Sequence, residues 1–234
     1  MKKLIHKSET RGHEDHGWLN ARHSFSFANY YNPERIHFGA LRVLNDDVIR
    51  PGMGFGSHPH DNMEIITIPL SGAIQHRDSM GNGSVIKAGE VQHMSAGSGI
   101  THSEYNASGS DELNLLQIWL FPREKNIKPV YNQIQFSEEQ LKERFYEVVS
   151  SSNPGGIKIN QDATFSLGRF SANQQIEYSL QSENNGVYLF IIEGEIQVDN
   201  EVFSDRDGIG IRNTIEFAID IQKPSYLLLM EVPM

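Results

Sequence analysis

Apolar residues along this chain recur at alternate positions or in short runs, and seldom at the three-to-four-residue spacing of an amphipathic helix. The segments LNLLQIWLF (113–121), GVYLFIIEGEIQVDN (186–200) and PSYLLLMEV (224–232) are dense in Ile, Leu, Val and aromatics, which suit a buried, pleated surface. Turn residues punctuate them at short intervals: LSGA (70–73), SMGNG (79–83), SAGSG (95–99), VDNE (198–201) and DRDG (205–208). Many short strands with such turns predict an all-β chain, a sandwich, jelly roll or barrel rather than alternating β and α units. One helix is predicted, in SEEQLKERFYEV (137–148). Ser137 and Gln140 have capping-box spacing, and Leu141, Phe145 and Val148 share a face.

That helix lies between two linker-like stretches, IKPVYNQ (127–133) and SSSNPGG (150–156). The chain is therefore expected to form two β-modules, residues 1–130 and 131–234, bridged at about 125–155. Residues 70–90 and 192–208 share an order of strand, Gly, strand, polar turn and strand, which suggests that one module was duplicated.

Composition narrows the function classes. The 234 residues are 38% hydrophobic and 21% charged, the balance of a folded globular protein. No apolar run nears the ~18 residues of a membrane helix, so no membrane association is expected. The opening MKKLIHKSET lacks the apolar stretch of a secretory signal. There is no cysteine, which removes disulfides, thiolate ligands and thiol nucleophiles together and fits the expected cytoplasmic location. The net charge of −10 is uneven, −1 over residues 1–130 and −9 over 131–234. An acidic surface repels phosphate, so no nucleic-acid partner is expected. All ten histidines lie between His6 and His102, which confines imidazole chemistry to the first module. The second is expected to lack a histidine metal site and to buttress the first.

Two segments carry that chemistry: GMGFGSHPHDNME (52–64) and GEVQHMSAGSGITHSEYN (89–106). Residues two apart on a strand share a face, so His58 and His60 form one inward pair and His102 and Glu104 another. A lone His-x-His is common on surfaces; two matched pairs among glycines are not. Pro59 lacks an N–H, which places it at a strand start or edge. Imidazoles with one carboxylate suit a single divalent transition metal, Fe(II), Mn, Ni, Cu or Zn, and suit Ca or Mg poorly. Four such ligands leave octahedral positions open for water, dioxygen or a chelating substrate. Glu64 also sits at even spacing from His60 and is expected to point inward as a polar support, or as a further ligand. His76 is expected to face solvent, with a place lining the barrel mouth as the alternative, His93 to pack or be exposed, and His23 to make a structural hydrogen bond.

The same residues resemble the cupin superfamily. Gly52, His58, His60, Glu64 and Gly72 follow its first motif, and Gly89, Gly99, His102 and Asn106 its second, with Gly97 where proline is usual. These departures, with HSFSFANYY (23–31), FGALRVLNDD (38–47), HPHDNMEI (58–65), HRDSMGNG (76–83) and MSAGSGITHSEYN (94–106), are similar to the pirin family. The resemblance implies a bicupin, two cupin barrels with a short linking helix, closest to the bacterial quercetin 2,3-dioxygenase branch. It implies one metal, iron(II) foremost, on His58, His60, His102 and Glu104, with Glu104 also serving in catalysis. It implies a flavonol substrate and O2. Eukaryotic pirins resemble metal-dependent regulators that bind transcription factors, so the resemblance leaves a protein partner open as the alternative.

Overall fold

A computed structural model describes residues 1–152 and 155–234; Asn153 and Pro154, within the expected linker, lie outside the described residues. The first barrel is an antiparallel pair of sheets. The larger runs Val130–Gln135, Glu90–Ser95, Glu64–Ser71, Leu113–Leu120, Leu41–Ile49, Leu19–His23, Gly12–Asp15. The smaller runs Gly54–His60, Ile100–Asn106, Ala73–Asp78, Gly83–Lys87. The chain crosses from one sheet to the other at 50–53, 61–63, 72, 88–89, 96–99 and 107–112, which closes them around a shared interior. Each predicted turn falls at a reversal between strands.

The second barrel is a single nine-stranded sheet that curls on itself. Its two longest strands, Asn185–Val198 and Glu216–Pro233, shift register between Ile191 and Ile196 and so serve two walls. Gly194 makes this bend: its φ is 104°, and a Cβ would press on the Ser225 side chain and the Pro224 carbonyl. Phe170, Leu189, Ile191, Phe203, Ile219 and Leu229 are among the buried side chains that fill this half. The all-β bicupin expectation holds.

Strand pairing crosses the 130/131 division twice. Lys2–His6 pairs with Gly208–Arg212 in the second sheet, and Val130–Gln135 pairs with Glu90–Ser95 in the first. The largest buried cluster also spans the halves, joining Phe25, Leu44 and Ile118 to Phe165, Phe190 and Leu228. Asp46 bonds Arg206 across the same seam at 3.2 Å, and Arg11 within the first half at 3.1 Å.

The helix is shorter than predicted. Its capping box forms, Ser137 Oγ accepting from the Gln140 N–H and Gln140 Oε1 accepting from the Ser137 N–H, but helix persists only over Glu138–Leu141. Lys142 is extended and Glu143 has φ 55°. Val148 and Val149 belong instead to strand Tyr146–Ser150, paired with Thr164–Phe170, and Phe145 stacks on Phe170 at 5.0 Å. Burial of two β-branched residues in a sheet outweighs the marginal stability of a short helix. Among the described residues no helix is long and apolar enough to cross a membrane.

Candidate metal centre

The smaller sheet of the first barrel presents the histidines. Gly54–His60 is its edge strand, which tolerates Pro59, and it pairs antiparallel with Ile100–Asn106 so that His102 lies opposite His58 and Ile100 opposite His60. The register then slips, Glu104 meeting Phe55 rather than Gly56, which places a bulge in the edge strand beside the site. Gly54 permits the close approach: a Cβ there would strike the Glu104 carbonyl. The three ring centroids lie 4.4 to 4.9 Å apart, and one nitrogen of each ring falls within 4.8 Å of the others.

Hydrogen bonds select which nitrogen His58 and His102 offer. His58 Nδ1–H donates to the Gly56 carbonyl at 2.8 Å, leaving Nε2 as the lone-pair atom. His76 Nε2–H donates to Asp78 Oδ2 at 3.2 Å, so neutral His76 presents an accepting Nδ1. That atom stands 3.4 Å from His102 Nδ1, which must donate. His102 Nε2 is then a bare lone pair, buried and without a hydrogen-bond partner among the described residues. Burial lowers the pKa of His102 to about 2 and of His60 to about 4, with neighbouring imidazoles adding to the effect in both. These are neutral nitrogens facing one point, the state a metal requires.

Glu104 is buried beside them, within 4.8 Å of a ligand nitrogen of His102 and of His76 but outside that distance for the full trio with His58 and His60. Gln117 Nε2 donates to its Oε2 at 2.9 Å, and Thr67 Oγ1 lies 3.5 Å from Oε1. Burial raises its pKa to about 7 against the pull of both hydrogen bonds. A buried carboxyl without a cation is held away from its charged form; a divalent ion would restore it. Neutral imidazole nitrogens, one of them orphaned, beside a buried carboxyl fit a transition metal.

Two expectations are corrected. His76 does not face solvent: it is fully buried behind His102, because Ile74, His76 and Asp78 share the inward face of their strand. Glu64 does not point inward. The turn at 61–63 separates it from His60 and breaks the strand parity, so it faces the second barrel with Ile66 and Ile68. There it accepts from Ser95 Oγ, His93 Nε2 and the Asn160 N–H at 2.5, 2.8 and 3.1 Å. Burial alone would raise its pKa, but these bonds, led by His93, hold it low. His93 is thus a buried partner of Glu64, and His23 bonds Asn45 Oδ1 at 2.8 Å as expected.

Residues 5–120 match the family model Pirin, and residues 148–232 match the quercetinase C-terminal cupin domain. A quercetin 2,3-dioxygenase of Escherichia coli (strain K12) is 41% identical over 229 residues, 98% of each chain. The chain belongs to the pirin family. A pirin-like protein of Caulobacter vibrioides is 38% identical over 94% of this chain and 95% of its own. The crystal structure of a bacterial pirin from Escherichia coli in complex with nickel(II) matches with a TM-score of 0.94 at 39% identity, covering 99% of both chains.

In this pirin the histidines form one wall of a cavity of about 230 Å³. Phe27, Phe55, Ile65 and Trp119 make it mainly apolar, and Glu104, Gln117, Asn45 and Asp47 supply its polar atoms. An outer cleft of about 520 Å³ shares His60 and Trp119 with it. Asp47 was not among the residues the sequence singled out. Its signal was there: NDD (45–47) sets three polar residues in the middle of a strand flanked by Val43, Leu44, Val48 and Ile49, with Asn45, Asp47 and Ile49 on one side.

Proposed function

We propose that this pirin is a metal-dependent dioxygenase that opens the heterocyclic ring of flavonols such as quercetin with O2, using iron(II) held by His58, His60, His102 and Glu104. The observation that carries this reading is the convergence of lone-pair imidazole nitrogens and one buried carboxyl on the wall of an aromatic-lined cavity. Relatives named quercetin 2,3-dioxygenase, at about 40% identity over nearly the whole chain, support the substrate class.

A bound divalent ion supplies Lewis acidity, lowering the pKa of a chelating hydroxyl and bringing substrate and O2 into one coordination sphere. The chain's own residues do the rest. Gln117 ties down Glu104 Oε2, so Oε1, held only loosely by Thr67, is the oxygen that takes the 3-hydroxyl proton of the flavonol. A bound divalent ion would restore to Glu104 the charged form that burial disfavours, leaving a carboxylate fit to take that proton. Phe27, Phe55 and Trp119 seat a flat ring and keep water from the electron-rich enolate. Ring opening with loss of carbon monoxide leaves the depside.

The test is aerobic incubation of quercetin with protein loaded separately with Fe(II), Mn, Ni, Cu and Zn. Loss of flavonol absorbance with stoichiometric carbon monoxide is expected with Fe(II). No turnover with any of the five ions refutes the proposal.

A further inference from the structure

Asp47 carries a buried carboxyl oxygen that no described residue bonds. It lies on strand Leu41–Ile49, between Ala21 and Leu115 of the neighbouring strands, and faces the interior of the first barrel. It is only 4% exposed, and its Oδ1 has no hydrogen-bond partner among the described residues. The adjacent Asp46 points the other way and is bonded to Arg11, Asn114 and Arg206. The contrast matters. One carboxyl of the pair is hydrogen-bonded through both oxygens, one bond reaching Arg206 of the second half, while its neighbour leaves Oδ1 unbonded among the described residues. Burial, followed by the charges of Asp46 and Glu104, raises the Asp47 pKa well above the usual carboxyl range.

A buried polar group with no partner destabilises a fold, and native structures rarely retain one without a use. Asp47 lines the same cavity as His58, His60, His102 and Glu104. Trp119 lines it too, and its Nε1–H is also buried and unpartnered. The cavity thus carries an idle acceptor and an idle donor beside the histidines, while its other polar side chains, Asn45, Glu104 and Gln117, are already hydrogen-bonded. That is the inventory of a pocket whose polar partners arrive with the ligand.

We propose that Asp47 is a specificity-determining residue of the cavity, accepting a hydrogen bond from a hydroxyl of a metal-chelating phenolic ligand. The assignment rests on the flavonol reading for its ligand class, and on the orphaned carboxyl for its position. It explains why an unpaired carboxyl survives in a barrel core. A site built to bond a hydroxyl discriminates strongly against ligands that lack one, since its polar group is then left unmatched.

The test uses metal-loaded protein without oxygen and compares native chain with Asp47→Leu and Asp47→Asn. Metal content is expected to be unchanged, because Asp47 is not a ligand. Affinity for quercetin is expected to fall about tenfold or more in Asp47→Leu and less in Asp47→Asn, whose amide oxygen still accepts. Binding of 3-hydroxyflavone, which keeps only the chelating hydroxyl and carbonyl, locates the bond. Unchanged affinity assigns it to a hydroxyl outside the chelating pair, and a parallel loss to the chelating hydroxyl itself. Native affinity for quercetin in Asp47→Leu with metal retained overturns the proposal.

A second readout is independent of the flavonol reading. Removing an unpaired buried carboxyl should raise the melting temperature of the ligand-free protein in Asp47→Leu, by about 2–4 °C or more. A lower melting temperature would show a carboxyl serving the fold and would overturn the proposal even if quercetin proves not to bind. If the native chain binds no quercetin and Asp47→Leu melts higher, the flavonol reading falls and Asp47 stands as a ligand-facing group.

Discussion

Asp78, His76 and His102 form a chain of hydrogen bonds ending on the orphaned His102 Nε2. Asp78 is fixed in turn by the N–H groups of Met80 and Asn82 and by Asn82 Nδ2. Such outer bonds orient a metal-binding imidazole and raise its basicity, and their loss typically weakens metal binding 10–100-fold. His76→Ala should therefore bind metal by that factor more weakly in competition with a chelator, without abolishing it. Abolished binding would make His76 a ligand itself, and native affinity would break the relay. The two His-x-His-like pairs were legible in the sequence because strand parity is local. The place of His76 was not, since parity groups His76 with Ile74 and Asp78 but cannot say which face looks inward. For Glu64 parity misled, because three intervening residues turn the chain onto the other sheet.

Gly72 and Gly194 occupy the same place in the two similar segments, and both have positive φ, 77° and 104°. In the first half the glycine separates Glu64–Ser71 from Ala73–Asp78, which lie in different sheets. In the second it bends one continuous strand from one wall to the other. One device thus closes both barrels, and the weak repeat in sequence reflects it. Gly194→Val should cost about 1–3 kcal/mol for backbone strain alone, with more from its collision with Ser225, and denaturant unfolding would measure the loss. An unchanged midpoint would show that the bend does not need glycine. The predicted helix failed at this scale for a reason the local pattern could not hold: Val148 and Val149 gain more by pairing with a strand that begins at Thr164.

The two barrels share one core, so they should unfold together. Calorimetry is expected to give a single transition for the metal-free chain, and Phe190→Ala, at the centre of the shared cluster, should lower its stability by about 3–5 kcal/mol. Two separate transitions would contradict a common core. The N-terminal strand adds a pH-sensitive clasp. His6 is buried, its Nδ1 2.8 Å from the Tyr188 hydroxyl, and burial, aided by the Arg35 charge, lowers its pKa to about 4. Its unfolded value is near 6.5, so this contribution is complete above pH ~6.5 and is lost as pH falls toward 4, at up to ~1.4 kcal/mol per unit. His6→Phe should flatten the fall in stability between pH 7 and 4.5 relative to the native chain. An equal fall in both would remove His6 from the account. None of this clasp was visible in sequence, since residues 2–6 meet a strand more than two hundred positions away.

The central claim is that one divalent metal sits in the first barrel on His58, His60, His102 and Glu104. Its most direct test is elemental analysis of the native chain, His102→Ala and Glu104→Ala, purified identically from the same host. Close to one transition metal ion per native chain is expected, with almost none in His102→Ala and strong depletion in Glu104→Ala. Full occupancy in both variants would contradict that claim.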